Sequence, residues 1–270
     1  MQGFPFNLIL AVATASATIF LGFLPTKTIR SSFFGMEALK AALMWGAVAL
    51  VVPAQVIHYY LFFALLCGGA WWQFRNDLAL RGKMWFSVAS GLGISLGGML
   101  ILATTSAYLP VSPLTFRHLE LNQMNSIDQA VLIISIYLGG AVIGLAYVTY
   151  ILTRQASTKS GVTNGLAQRH AELLLILVLA RATAAAIAFY LLRPDRSAPG
   201  AMEKSPIDPH TLILMEAAAA LGLLLVVLPA LAFYVKRASQ LSSRVQPTRA
   251  LMAMMILGFV AEVLARLLVF

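Results

Sequence analysis

The chain of 270 residues contains a single cysteine, Cys67, set within an apolar run. A lone thiol excludes an intrachain disulfide and leaves thiolate metal sites without ligands. Acidic groups are scarce as well, with only 10 Asp and Glu. Charged residues of both signs make up 11% of the chain against 60% hydrophobic residues, which excludes an ordinary soluble domain. No basic side chain stands in the first five residues. A secretory signal needs a positive leading region, so the apolar run at 4–24 reads as a retained first helix. No internal repeat of 20–50 residues is visible.

Long apolar runs separated by basic gaps fill the chain instead. The net charge is +9, with 19 Lys and Arg. Thirteen of these fall in four segments: Lys27, Arg30 and Lys40; Arg75, Arg81 and Lys83; Arg154, Lys159 and Arg169; Lys236, Arg237, Arg244 and Arg249. Arg117, Arg193, Arg196 and Lys204 lie in the intervening gaps, and Arg181 and Arg266 lie inside apolar runs. Cytoplasmic loops of membrane proteins retain Lys and Arg, so the four rich segments are expected on one side of a membrane. That sorting accounts for the net charge and favours anionic lipid headgroups as contacts. Nucleic acid is not an expected partner, since no basic face interleaved with aromatics exists outside the loops.

A membrane-spanning helix needs about 20 apolar residues. Six runs meet that requirement, at 4–24, 84–109, 127–152, 171–192, 211–235 and 249–270. The run at 36–74 is too long for one helix, and Pro53 near its centre disrupts a helix interior. It reads as two helices, 35–52 and 54–74, joined by a tight turn. Eight spans place all four basic segments on one side, whereas seven would split them. The expected fold is therefore all-α: one integral membrane domain over 1–270, an eight-helix bundle with both termini on the periplasmic side. The expected location is a bacterial or archaeal cytoplasmic membrane. The gaps at 155–168 and 194–210 read as polar connections.

Ionisable groups at membrane depth are costly, so each implies a partner or a task. Glu262 and Arg266 stand four apart and share one face of the last helix. They form either an internal salt bridge or part of a quinone or protein-contact site. Arg181, near the middle of the sixth span, and Glu216, about one turn into the seventh, form the second expected charge pair, structural or along a proton path. His170 and Glu172 belong to the headgroup zone. Gln55 and His58 lie three apart beside Tyr59 and Tyr60 at the outer interface. They read as an ordinary interfacial cluster or as a quinone headgroup site, an imidazole being able to take a quinol proton. No two of the four histidines fall at matching depth inside the bilayer, so neither haem nor metal is expected. An outer-edge arrangement of His58 with His118 or His210 is the one haem geometry left open. Gly139, Gly140 and Gly144 are the kind of small residues that let membrane helices approach.

Three segments carry a family resemblance. The closing helix, Gly258-Phe-Val-Ala-Glu262-Val-Leu-Ala-Arg266-Leu-Leu-Val-Phe270, resembles the last helix of the membrane anchor subunits of dimethyl-sulfoxide reductase-type complexes. Ser135-Ile-Tyr-Leu-Gly-Gly-Ala-Val-Ile-Gly144 is similar to that family's Gly-Gly-x-x-x-Gly helix. Leu61-Phe-Phe-Ala-Leu-Leu-Cys-Gly-Gly-Ala-Trp-Trp72 is similar to its third helix. The resemblance implies an anchor that binds menaquinol or a quinone and exchanges electrons with a ferredoxin-like iron–sulfur subunit. That subunit would serve a molybdopterin catalytic subunit, and the anchor itself would hold no metal. In the family a polar connection between helices two and three contributes to quinol binding, with a histidine before it and a glutamate after it. Here that connection shrinks to the Pro53 turn, Gln55 falls near the glutamate, and His58 is the titratable group nearby. On this basis the quinone-binding residues are His58, Gln55, Tyr59, Glu262 and Arg266. A structural docking subunit without quinone turnover and a secondary transporter using Arg181 and Glu216 are the competing readings.

Overall fold

The computed structural model describes residues 4–25, 29–50, 57–76, 78, 80–85, 87–88, 91, 126–158, 164–191, 218–240 and 247–267. Among these residues there is no β-strand. Eight helices follow in order: α1 (Phe4–Phe23), α2 (Ser31–Ala49), α3 (Ile57–Arg75), α4 (80–85), α5 (Ser126–Thr158), α6 (Asn164–Leu191), α7 (Ala218–Gln240) and α8 (Thr248–Leu267). Ile133–Gln155, Gly165–Ile187, Ala218–Gln240 and Thr248–Ala265 are each long and apolar enough to cross a membrane. Helices satisfy their own backbone groups, which makes them suited to a medium without water.

The run at 36–74 is two antiparallel helices. Trp45, late in α2, packs against Tyr60 and Phe63, early in α3, with ring centroids 5.8 and 5.2 Å away. Phe34, early in α2, stacks on Phe74, late in α3, at 5.4 Å. The turn at Pro53 lies outside the described residues, as do Gln55 and the connection at 194–210. Each helix has 19 residues, about 28 Å of axial length at 1.5 Å per residue. That is close to the thickness of a hydrocarbon core.

Helices α5, α6, α7 and α8 pack as a closed ring, each touching the next and α8 returning to α5. A core including Leu145, Leu174, Val178, Leu224, Leu228 and Met254 fills it. Helix α1 lies outside the ring, parallel to α5. Gly140 meets Val12, and a Cβ at Gly144 would fall 2.6 Å from the Ala17 nitrogen and 2.9 Å from the Ala13 oxygen. Further along the pair, Leu21 and Leu24 pack with Val148, Ile151 and Leu152. Glycine at 140 and 144 is what lets the two backbones come this close. The α2–α3 hairpin covers the other side of α1 through Ala11, Ala15, Trp45 and Tyr60.

Two connections differ in extent from the sequence expectation. Helix α5 continues to Thr158 and α6 begins at Asn164, so 155–158 and 164–168 are helical and not loop. Loss of apolar character ends a membrane span but not a helix, and Arg154, Gln155, Ala167 and Gln168 are good helix formers. Within α7, Leu223–Val227 forms a π-turn, with the Leu228 N–H bonded to the Leu223 carbonyl. Pro229 follows directly, lacking a donor and crowding the carbonyl four residues before it, and the wider turn relieves that crowding.

Candidate functional site: a buried ion pair between three helices

The helix directions bring the basic residues to one end of the bundle. Leu24, Ile29, Phe34, Phe74 and Leu152 form one cluster with Leu166 packed against it. That places the end of α1, the start of α2 and the ends of α3 and α5 beside the start of α6. The Lys83 ammonium donates to the Leu24 carbonyl at 2.5 Å and lies 5.7 Å from the Phe34 ring centroid. Ser31 Oγ donates to the Phe74 carbonyl at 2.8 Å. Arg75 sits over the Trp71 ring at 5.6 Å. Helix α8 runs antiparallel to α5, since Gly139 faces Glu262 whereas Gly258 faces Ile143. Arg249 at the start of α8 therefore joins the same end, as do Lys236 and Arg237 at the end of α7. In the opposite half, Arg181 and Glu262 are the charged residues among the described side chains.

These two residues bind each other. Arg181 Nε donates to Glu262 Oε1 at 2.6 Å and Nη2 donates to Oε2 at 3.0 Å. Arg181 is 1% exposed and Glu262 2%. The parallel fork of guanidinium on carboxylate is the strongest geometry open to such a pair. In a medium of low dielectric it is also what permits both groups to stay charged. Glycine at 139 makes the room, because a Cβ there would overlap the Glu262 carboxyl carbon and both of its oxygens. The seat is thus built from α5, the cation from α6 and the acid from α8.

From the sequence, Arg181 was expected beside Glu216 and Glu262 beside Arg266. Glu216 lies outside the described residues, and the Arg266 side chain does too, although its backbone belongs to α8. The bidentate partner of Glu262 comes from a helix 81 positions away.

His58 and Tyr59 sit elsewhere. Both are exposed at the start of α3, with ring centroids 4.0 Å apart. No hydrogen bond among the described residues ties either of them to Arg181 or Glu262. Tyr60, the next residue, is buried against Trp45. His170 Nδ1 approaches the Leu166 carbonyl at 2.9 Å, and Glu172 accepts from Gln168 at 3.4 Å. No group of three His, Cys, Asp or Glu among the described residues is placed to hold a metal ion.

A second buried carboxylate escaped sequence reasoning. Glu37 on α2 is 4% exposed. It accepts from the Tyr147 hydroxyl of α5 at 2.7 Å and from the Lys40 ammonium at 2.6 Å. The signal was available, since an acid six residues into an apolar helix obeys the same rule that singled out Glu262. Helix α5 thus seats two acids, one at Gly139 and one at Tyr147, about 12 Å apart along its axis.

A bundle of antiparallel helices, four of them long and apolar enough to span, with an ion pair sealed among three of them, defines a membrane-embedded, multi-pass helical protein. Compared with family models, curated proteins and solved structures, the chain matches none.

Proposed function

We propose that the chain is the membrane anchor of a multi-subunit oxidoreductase, binding a quinol or quinone and exchanging electrons with an iron–sulfur partner subunit. In this reading it crosses a cytoplasmic membrane eight times, with the basic end in the cytoplasm and both termini outside. Glu262 then lies in the outer half of the bilayer. The observation that carries the reading is the contact between Gly139 and Glu262. The Gly-Gly-x-x-x-Gly helix and the closing helix resemble the same anchor family separately, and they meet at the residues that define each motif. A buried carboxylate is also the kind of group a quinol headgroup requires as a proton acceptor. When bound, the quinol supplies electrons and protons; Glu262 would accept a proton and Arg181 would hold the carboxylate in place. A molybdopterin catalytic subunit would complete the assembly, and menaquinone is the quinone the resemblance implies.

A specific observation favours a second reading, in which the chain docks its partners without quinone turnover. His58 and Tyr59, the outer-face candidates, are exposed and stand apart from Glu262, while the Arg181–Glu262 pair is closed to solvent. The two readings separate on one experiment. Affinity purification of the full-length chain from its native membrane should retain an iron–sulfur protein, and the complex should reduce that protein's clusters when menaquinol is added. Retention without cluster reduction selects the docking subunit. A chain that purifies alone and transports a solute removes both.

A further inference from the structure

Arg181 spends two of its three guanidinium nitrogens on Glu262, Nε and Nη2. The third, Nη1, is buried and meets no acceptor among the described residues. One turn before Gly139 on the same face of α5 stands Ser135, fully buried, whose Oγ also has no partner. Residues four apart on a helix lie about 6 Å from each other, so the hydroxyl belongs to the neighbourhood in which Gly139 seats the carboxylate. Hydroxyls elsewhere on α1 and α5 behave differently. Thr14, Thr18, Thr149 and Thr153 each donate to a carbonyl of their own helix, at 2.7, 2.7, 2.7 and 2.8 Å. Ser135 makes no such bond, although the backbone of α5 offers one.

A buried donor left without an acceptor carries the full cost of its desolvation. Two such groups beside one ion pair define what would satisfy them. The pair is already neutral, so a charged ligand would bring an uncompensated charge into the helix core. A neutral ligand with an oxygen able to accept two hydrogen bonds satisfies both donors without that penalty. The same core includes small side chains, Ala185 on α6 and Ala220 on α7, beside larger ones such as Val178 and Leu224.

We infer that Arg181 Nη1 and Ser135 Oγ form the seat for one carbonyl or hydroxyl oxygen of a neutral, ring-bearing amphiphile, beside the Glu262 carboxylate. Identifying that ligand as a quinone rests on the function proposed above. The inference moves the headgroup from the exposed His58 region to the α5–α6–α8 junction. An ester carbonyl of a phospholipid shares the same chemistry and is separated from a quinone by the test.

The full-length chain is placed in nanodiscs of ether-linked phosphatidylcholine and titrated with 2-heptyl-4-hydroxyquinoline N-oxide, a quinol analogue whose fluorescence is quenched on binding. Saturable binding is expected. Ser135→Ala should weaken it about tenfold, the effect of one lost hydrogen bond of about 1.4 kcal/mol, without lowering the Tm. Arg181→Lys should weaken it further, and Thr183→Ala, an exposed hydroxyl on α6, should leave it unchanged. Equal affinity in wild type, Ser135→Ala and Arg181→Lys overturns the seat while leaving the quinol reading standing. If Arg181→Lys fails to fold, Ser135→Ala decides alone. Absence of binding to the wild-type chain overturns both. Binding present in ether-linked lipid and lost in ester-linked lipid assigns the seat to lipid and overturns the quinone as its occupant.

Discussion

Glu262 and Glu37 are both buried carboxylates resting on α5, and they are neutralised in opposite ways. Glu262 is gripped by a guanidinium that is itself 1% exposed, through two parallel hydrogen bonds. Glu37 takes one bond from a phenol and one from Lys40, whose side chain is 50% exposed. The difference follows the exposure of the cationic partner. Near the basic end a lysine can bury its stem and leave its ammonium at the interface. The Cα–Cβ bonds of a helix tilt toward its N-terminus, which directs Lys40 back toward that end and onto Glu37. Around Glu262 the cation itself is sealed inside the bundle, and a planar fork that satisfies both carboxylate oxygens is the arrangement that keeps the charges paired. One acid is thus neutralised by a cation that reaches the surface, the other by a cation sealed inside the bundle.

That contrast can be broken most sharply at Glu262. Glu262→Ala strands a buried guanidinium and should cost about 3–5 kcal/mol, the usual loss when one member of a buried pair is removed. Thermal unfolding of the purified protein in detergent would register it, and a Tm within two or three degrees (about 1 kcal/mol) of wild type would show the pair to be dispensable. Gly139→Ala tests the seat and leaves the charges in place. Its methyl overlaps the carboxylate, so α5 and α8 must separate, with a loss of about 1–3 kcal/mol as for other overpacked sites. Tyr147→Phe removes a single hydrogen bond to a charged group at the other acid, and a loss of about 2 kcal/mol is expected. Lys40→Ala should matter least, at about 0.5 kcal/mol, because its ammonium is half in solvent and screened. A Lys40→Ala loss as large as that of Glu262→Ala would erase the distinction between the two sites.

Much of the architecture was legible before any coordinates. The doubling back of the 36–74 run followed from Pro53 and from the sorting of basic residues, and α2 and α3 are indeed antiparallel. Gly139, Gly140 and Gly144 announced close helix contacts, though not that adjacent glycines would serve different partners. Gly140 and Gly144 admit α1, while Gly139 faces α8. Successive helical residues point about 100° apart, so a glycine pair opens two faces at once. Glu37 was not singled out, and its bond to Tyr147 joins residues 110 positions apart, a contact that spacing does not record. Arg181 and Glu262 were each singled out as costly charges, and the bond that joins them runs between α6 and α8.

Composition, hydropathy and the placement of cations determined by themselves that this chain would be helical, membrane-embedded and basic at one end. Those are one-dimensional properties, since transfer of apolar side chains from water and retention of charge outside lipid depend on the local segment alone. Which acid meets which base was decided only by tertiary structure. Gly139 leaves room on α5 for the Glu262 carboxylate of α8, and Arg181 of α6 binds it there. An ion pair acts through space over a few ångströms, and chain separation carries no record of that distance.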